Sequence, residues 1–435
     1  MAGSRIAPVL AVIGAGYGDE GKGLFTDYLA RKHSRFQGTK VPLVMRGNGG
    51  AQAGHTVVDG MRRHVFGHIG SGTMAGARTY LAENFIVNPM AFAPELEKVK
   101  ALGMDPTVYA HSNCRVTTIF DMALNSLAEL FRGRALHGSC GYGINETVTR
   151  NEAGYYLTMA DIRAGTAVLA TKLEDILREY VPTRLYAIGY QEWDRASATP
   201  QVRAQADVYL KTVMIEQDDR AAHCSALASR MQKDIHHIHL YDPKSFTWSG
   251  EPIIYEGAQG LLLDEYHGAF PHVTRSVTGV ASAVRAAAEA GRTQVQPYYI
   301  TRCYTTRHGA GPLYKEGEII TDGARSLPDE TNMPNQHQGT LRFAPLNLGH
   351  LKNAIKQDME RARHVGQVFN VEVLQPKLVV THLDQLGRNV QFAGWSYLVE
   401  SEAAAKAIGN FLEVPVSHVS YGPEAKDVRE STSEL

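Results

Sequence analysis

Short apolar segments recur along the chain, and each is followed by a polar or glycine-rich segment. They occupy residues 9–13, 41–45, 297–300 and 377–380, and a further strand pattern at 253–260 runs into a small-residue turn that carries Glu256 and Gln259. Their length and apolar content are typical of buried strands. Helical patterns follow several of them, and strands that alternate with helices indicate an α/β protein with a mainly parallel sheet. We therefore expect a ligand site at the carboxyl ends of the strands.

The remaining patterns place helices and loops around this sheet. We predict helices over residues 24–32, 94–103, 168–181, 203–233 and 280–290. Residues 85–87 resemble the end of a further strand, whereas segment 182–202 has a mixed pattern. Segment 326–347 is polar with little periodicity, which predicts a long loop. No internal repeat or low-complexity linker divides the chain, so we expect a single large domain over 1–435 with helical excursions.

Composition excludes several classes of protein. Hydrophobic residues make up 44% of the 435 residues and charged residues 20%, as in a globular protein with a sizeable core. The formal net charge of −1 provides no bulk attraction to nucleic acid. No apolar run approaches the roughly 18 residues of a membrane span, and we expect no signal peptide. Four scattered cysteines indicate a reduced, cytoplasmic protein.

The most informative motif is the glycine-rich stretch 14–23, which lies between the first predicted strand and the first predicted helix. Such a turn wraps backbone N–H groups around phosphate oxygens. The P-loop pattern fits from Gly16 to Lys22, but Gly23 stands where a hydroxyl should hold magnesium. The dinucleotide fingerprint also fits the glycines, yet residues 40–45 contain no acid to bind the ribose.

Since neither pattern fits fully, we interpret this stretch as a phosphate-binding loop that contains Asp19, Glu20 and Lys22. We expect a P-loop-NTPase-like fold on this basis. A turn that serves only tight packing is the weaker alternative, because five glycines flank two acids and a lysine.

Two further glycine clusters follow, at residues 46–56 and 138–143. The first contains Gln52 and His55, and a histidine in a flexible loop after a buried strand is a candidate for chemistry. The second, taken alone, would be interpreted as a surface loop.

Together these segments resemble the adenylosuccinate synthetase family over nearly the whole chain. The matching motifs, in family order, are Gly-Asp-Glu-Gly-Lys-Gly at 18–23, Ala-Gly-His-Thr at 53–56, Glu-Gly-Ala-Gln-Gly at 256–260, Pro-His-Val-Thr at 271–274, Tyr-Thr-Thr-Arg at 304–307, Gly-Ala-Gly-Pro at 309–312, Thr-His-Leu-Asp at 381–384 and Ser-Tyr-Gly-Pro at 420–423. A single match would be weak, whereas several motifs in order are improbable by chance.

The resemblance implies a two-step ligation. The γ-phosphoryl group of a nucleoside triphosphate moves to O6 of a 6-oxopurine nucleoside monophosphate, and L-aspartate then displaces it at C6. The implied cofactor is Mg²⁺, and the implied assembly is a homodimer in which Arg150 reaches the acceptor phosphate across the interface. Nucleic acid and membranes are not among the implied partners.

The resemblance also implies residue roles. Asp19 would be the general base at purine N1 and a magnesium ligand, and the backbone of Gly54 would complete the metal shell. His55 would be the general acid, and Lys22 would neutralise phosphate charge. Gln259 would join this catalytic set. The implied nucleotide-binding residues are Gly18, Glu20, Gly21, Gly23, Gln52, Thr56, Ser139, Cys140, Arg150, Thr274, Arg342, His382, Asp384, Ser420 and Gly422, with Arg342 in the aspartate-binding loop.

Several departures from the family pattern leave the substrates open. His382 replaces the lysine that reads guanine, so ATP or dATP competes with GTP as donor. Tyr17 and Leu24 resemble the viral branch of the family, which joins aspartate to dGMP. Asp19 argues for IMP, because the viral enzymes carry a smaller residue there. Gly16 is predicted to supply the missing space if dGMP is the acceptor.

Two other functions compete with the ligase. A catalytically silent nucleotide-binding regulator would explain the single arginine of the aspartate loop, although the intact Asp19, Lys22, His55 and Gln259 argue against it. A P-loop kinase would require a hydroxyl at Gly23.

Overall fold

The computed structural model describes residues 7–34, 40–133, 138–241, 248, 250–329, 339–394 and 398–431. The strands are β1 Val9–Gly14, β2 Leu43–Arg46, β3 His55–Asp59, β4 Arg62–Phe66, β5 Arg78–Leu81, β6 Val108–His111, β7 Ile238–Tyr241, β8 Ile253–Gly260, β9 Gln294–Arg302, β10 Tyr304–Arg307, β11 Arg342–Pro345, β12 Glu372–Val373, β13 Lys377–Thr381, β14 Asn389–Val390, β15 Val399–Glu400, β16 Val416–Ser420 and β17 Val428–Glu430.

Helices surround these strands. They are α1 Lys22–Ser34, α2 Pro89–Ala101, α3 Ile119–Arg132, α4 Ile144–Glu152, α5 Met159–Arg163, α6 Thr166–Asp175, α7 Val181–Ala187, α8 Pro200–Val213, α9 Gln217–Asp234, α10 Val280–Glu289, α11 Leu348–Phe369 and α12 Ala404–Leu412. None of those helices, within the described ranges, is long and apolar enough to cross a bilayer.

The central sheet has eleven strands in the order β17-β16-β13-β9-β1-β8-β2-β5-β6-β7, with β12 paired to β9. Neighbours run parallel except β16 and β17. The predicted α/β class with a mainly parallel sheet is confirmed. Parallel strands covered on both faces need apolar residues at successive positions, which explains why the segments appeared as unbroken apolar runs.

Side chains of β1 pack on both faces of the sheet. Val9, Ala11 and Ile13 belong to the core that contains α10 and α11, whereas Val12 packs with Phe25 of α1. A second core lies beneath α3, α6, α8 and α9, and the last three of these helices come from the predicted helical segments 168–181 and 203–233. The sheet is therefore fixed between layers, and the carboxyl ends of its central strands meet at one edge.

Element boundaries differ from the predictions in three places. Helix α2 begins at Pro89 instead of Pro94, because Asn88 caps it by accepting from the Ala91 N–H and Pro89 suits a first turn. At the predicted strand end 85–87, Ile86 and Val87 form isolated bridges. The mixed segment 182–202 begins with most of α7, and the 203–233 helix is divided into α8 and α9.

The polar segment 326–347 also differs from the predicted long loop. Residues 342–345 form β11, which pairs antiparallel with β10, so that part of the segment is regular. Residues 330–338 lie outside the described residues.

Candidate active site

The first glycine loop, residues 15–21, connects β1 to α1 and is organised around the carboxylate of Glu20. Its oxygens accept from the backbone N–H groups of Gly16 at 3.0 Å and Gly18 at 2.7 Å. Lys22 Nζ lies 3.1 Å from the same carboxylate and donates to the Gly18 carbonyl at 2.5 Å. Both Glu20 and Lys22 are buried. Glu20 therefore holds the loop closed, and it does not line the main cavity described below.

Gly16 has a different role from the predicted one. A Cβ atom at this position would lie 2.9 Å from Glu20 Oε1, so the absent side chain makes room for the Glu20 carboxylate. Gly16 does not line the main cavity. The space that Gly16 leaves is therefore taken by Glu20, and this structure does not support Gly16 as a source of space beside the acceptor purine.

A cavity of about 980 Å³ opens at the carboxyl edge of the sheet. This volume is near the upper end of ordinary small-molecule sites, which suits more than one ligand at a time. It brings together most of the residues singled out in the sequence, namely Gly18, Asp19, Gly21, Lys22, Gly23, Gln52, Gly54, His55, Thr56, Ser139, Cys140, Gln259, Thr274, His382, Asp384 and Gly422.

His55, on β3, is held by the buried Glu256 of β8. Its Nδ1 lies 2.7 Å from Glu256 Oε1, while the other Glu256 oxygen accepts from the Ser71 N–H at 3.1 Å. Arg46 lies 4.0 Å from this carboxylate. Burial alone would raise the pKa of Glu256, but His55 and Arg46 outweigh it and lower the pKa to about 2. Glu256 is thus a fixed anion that orients the imidazole.

The imidazole itself is neutral at pH 7. Burial is the largest influence and lowers the pKa of His55 to about 4, with a smaller contribution from the Arg46 charge. Because Nδ1–H donates to Glu256, Nε2 carries the lone pair, and among the described residues Nε2 has no hydrogen-bond partner. His55 therefore becomes a general acid only after taking up a proton.

Asp19 faces the cavity from the tip of the first glycine loop. Its carbonyl oxygen accepts from Arg302 Nε, and its carboxylate oxygen Oδ2 lies 3.5 Å from His308 Nε2. About a quarter of the Asp19 side chain is exposed. A partly exposed carboxylate is accessible to a ligand in the cavity, as a base must be.

The third glycine cluster forms part of the cavity wall and is held by side chains of α3, so it is not a plain surface loop. Glu129 of α3 accepts from the N–H groups of Gly138 at 3.0 Å and Ser139 at 3.4 Å. Asn125 Oδ1 accepts from Ser139 Oγ at 2.9 Å and from the Gly143 N–H at 3.3 Å. Neither α3 residue could be recognised from the sequence, since each occupies an ordinary helical position.

His382 and Asp384 lie in the cavity after β13. His382 adopts a left-handed backbone conformation with φ of 62°, and its Nδ1 lies 2.8 Å from Thr381 Oγ1. Burial, helped by the nearby Arg302 charge, holds the pKa of His382 well below its usual value. Burial also raises the pKa of Asp384. Position 382 therefore offers a neutral ring where a lysine would offer a cation.

Arg150 is not brought to the cavity. Its guanidinium is fully buried and forms a bidentate pair with Asp121 at 2.9 and 3.0 Å. It also donates to the carbonyls of Tyr155 at 2.6 Å and Val116 at 2.7 Å. With its donors used inside the chain, Arg150 is a core residue in this structure, and its reach across a dimer interface stays a prediction.

Arg342 and Ser420 also lie outside the cavity lining. Arg342 pairs with Glu316 at 2.5 Å and donates to the carbonyls of Gly309 and Gly311, both at 2.9 Å. Ser420 is buried and donates to the Gly422 carbonyl at 2.7 Å. Both residues shape loops that border the site, and Arg342 is not displayed as a free ligand for aspartate.

Comparison with known proteins identifies the family. The family model described as adenylosuccinate synthetase matches residues 11–340. The chain belongs to the adenylosuccinate synthetase family. The enzyme of Myxococcus xanthus is 31% identical over 354 residues, covering 80% of this chain and 73% of the relative. That of Borrelia duttonii is 26% identical over 345 residues, covering 79% and 71%.

Two solved structures share the fold. A fully ligated adenylosuccinate synthetase from Plasmodium falciparum superposes with a TM-score of 0.64 at 16% identity, covering 98% of this chain and all of that one. The succinoaminodeoxyadenylate synthetase of cyanophage S-2L, bound to dGMP and dATP, superposes with a TM-score of 0.57 at 17% identity. The superposition covers 99% of this chain and 97% of that one. Family membership makes the chain a carbon–nitrogen ligase that joins aspartate to a purine nucleotide.

The position of Arg150 in the core can be tested by substitution. Arg150→Ala leaves Asp121 as an unpaired buried charge, and we expect the free energy of unfolding to fall by about 3–5 kcal/mol in denaturant titrations. The control Arg195→Ala breaks an exposed pair with Asp207, and we expect it to leave the free energy of unfolding nearly unchanged. Unchanged stability with a raised KM for a nucleotide would instead place Arg150 at the ligand.

The low pKa of His55 predicts that the protein takes up a proton when a nucleotide binds. The pKa of about 4 leaves the imidazole unprotonated at pH 7, and a phosphate bound beside Nε2 raises that pKa. Calorimetric titrations with nucleoside triphosphate, in buffers of different ionisation enthalpy, should show more uptake by the wild type than by His55→Asn. The difference in proton uptake between the two proteins should grow as pH falls from about 8 to about 6. Equal proton exchange in the two proteins would refute the assignment.

Proposed function

We propose that the chain joins L-aspartate to C6 of a 6-oxopurine nucleoside monophosphate, driven by a purine nucleoside triphosphate. The observation that carries the proposal is the convergence of Asp19, Lys22, the His55–Glu256 pair and Gln259 on one cavity. Removing the N1 proton makes O6 a nucleophile, which attacks the γ-phosphorus while the bond to the β–γ bridging oxygen breaks. The aspartate amine then forms the C6–N bond, and phosphate leaves with O6.

Each residue has a chemical task in this proposal. Asp19 accepts the N1 proton, and its partial exposure keeps it available. Lys22 lies beside the loop N–H groups and meets phosphate charge. His55, fixed by Glu256, donates a proton toward the phosphoryl group once bound phosphate has raised its pKa.

Mg²⁺ fits the residues present. Within the described ranges there is no cluster of three or more metal-ligating side chains, which is the pattern of an ion held chiefly by substrate phosphates and few protein ligands. The carboxylate of Asp19 and the backbone carbonyl of Gly54 would hold it. When bound, the ion would neutralise charge on the transferring phosphoryl group.

IMP and dGMP are the two candidate acceptors. Asp19 supports IMP, and the finding that Gly16 is filled by the Glu20 carboxylate removes one source of space for a 2-amino group. Tyr17 and the structural likeness to the dGMP-bound cyanophage enzyme support dGMP. For the donor, family membership supports GTP, whereas the neutral His382 beside Asp384 favours ATP or dATP.

We propose that residues 1–435 act as one unit in the cytoplasm. The support is the cavity lining, which extends from Tyr17 to Pro423. A homodimer belongs to the proposal through family membership alone, since Arg150 is buried in the core. The alternative of a silent nucleotide-binding regulator is not favoured, because the catalytic set surrounds one cavity.

An assay with aspartate and Mg²⁺ tests the function. IMP or dGMP is supplied with GTP, ATP or dATP in turn, and mass spectrometry detects the succinyl product. We expect product from one acceptor in excess over the other. No product from any combination would overturn the ligase, and product from both acceptors at similar rates would overturn the choice between them.

Asp19→Asn tests the base. The amide is similar in size but cannot accept the N1 proton, so turnover should fall by about 10²- to 10⁴-fold. Nucleotide affinity, measured by calorimetry without aspartate, should change little. The control Asp207→Asn alters an exposed carboxylate paired with Arg195 and should leave turnover unchanged. Full turnover by Asp19→Asn would move the base to another residue.

A further inference from the structure

His308 is a histidine in the cavity whose function is not assigned by the reaction described above. It follows β10 and lines the same cavity as Asp19 and Gln259. Its Nε2 lies 3.5 Å from Asp19 Oδ2, and about a fifth of its side chain is exposed. The contact is long for a hydrogen bond, but catalytic contacts in ligand-free proteins often tighten when substrate binds.

The backbone on both sides of His308 is fixed. On one side Arg307 is buried, lies 4.4 Å from the centre of the Tyr17 ring, and donates to the carbonyls of Pro312 at 2.8 Å and His272 at 3.1 Å. The ring contact joins this strand directly to the first glycine loop. The position of the imidazole is thus coupled to the loop that carries Asp19.

The loop after His308 is fixed as well. Arg342 Nη1 donates to the Gly309 and Gly311 carbonyls at 2.9 Å each. Gly309 and Gly311 have φ of 67° and 107°, conformations that suit glycine. A Cβ atom on Gly138 would lie within 3.2 Å of Gly309, so the third glycine cluster is close to the other side. A side chain carried by such a segment is preorganised.

From this geometry we propose that His308 is a positioning residue that holds the Asp19 carboxylate for proton abstraction. The Nε2–H group donates to Oδ2 and leaves Oδ1 for the purine N1 proton. Both the neutral tautomer with a proton on Nε2 and the imidazolium ion donate in this way, so the role does not depend on a change of charge. Each carboxylate oxygen has two lone pairs, so this contact leaves Asp19 able to hold Mg²⁺ as well, and fixing the orientation of the carboxylate preorganises the base.

The inference rests on the proposed ligase reaction, so wild-type turnover is measured first. His308→Leu removes the donor, and we expect kcat to fall on the order of 10- to 100-fold, the effect of losing a group that orients a catalytic residue. KM for both nucleotides should stay within about twofold, since His308 acts through Asp19 and not on the ligands. His308→Gln retains an N–H donor and should restore part of the rate.

A double-mutant cycle separates positioning from a structural effect. If His308 works through Asp19, the variant Asp19→Asn with His308→Leu should be no slower than Asp19→Asn alone. The control His364→Leu changes an exposed histidine on α11 and should leave kcat unchanged. Thermal unfolding of each variant verifies that it is folded.

Several results would overturn the role of His308. One is a double variant whose kcat falls by the product of the two single effects. Another is a His308→Leu variant in which only KM changes or kcat is unchanged. The third is a His308→Gln variant that recovers none of the lost kcat. A wild-type protein that forms no succinyl product would instead refute the ligase proposal itself, so the two failures are distinguishable.

Discussion

The carboxylate of Glu20 inside the first glycine loop is the interaction on which the site depends. Backbone N–H groups that point inward from a glycine turn attract negative charge. Here Glu20 accepts from two of them and is matched by Lys22 in a buried pair. The loop is thereby ordered without a ligand, and it sets the positions of Asp19 before it and α1 after it. The absence of a side chain at Gly16 leaves room for this carboxylate, because a Cβ atom there would lie 2.9 Å from Glu20 Oε1.

Buried charge is used in two distinct ways around the cavity. The Glu256–His55 pair orients a group that faces ligand, whereas the Arg150–Asp121 pair fixes α4 against α3 and faces none. Both involve charged groups removed from water, and such groups are retained only with close partners. Burial and pairing therefore do not by themselves mark a functional residue. What separates the two pairs is the cavity beside His55.

Sequence reasoning was most successful where chemistry and backbone geometry are local. The apolar runs predicted the central strands, and the glycine loops predicted most of the cavity lining, because loops at the carboxyl ends of parallel strands meet at one edge. Residue roles that depend on distant contacts were not predictable. Arg150 occupies a plausible motif position, but Asp121 lies 29 positions away and removes it from the surface. Arg342 is similarly occupied by Glu316.

The order of strands in the sheet has a consequence for synthesis of the protein. Strand β1 pairs with β8 and β9. Leu10 therefore has no strand partner until Ile254 and Gln296 have been synthesised. Gly422 and Pro423 line the same cavity as Tyr17. Pairing over such separations is slow and leaves apolar strands exposed while the chain grows. The site comes into existence only when nearly the whole chain has left the ribosome, which makes a late truncation as damaging to the cavity as an early one.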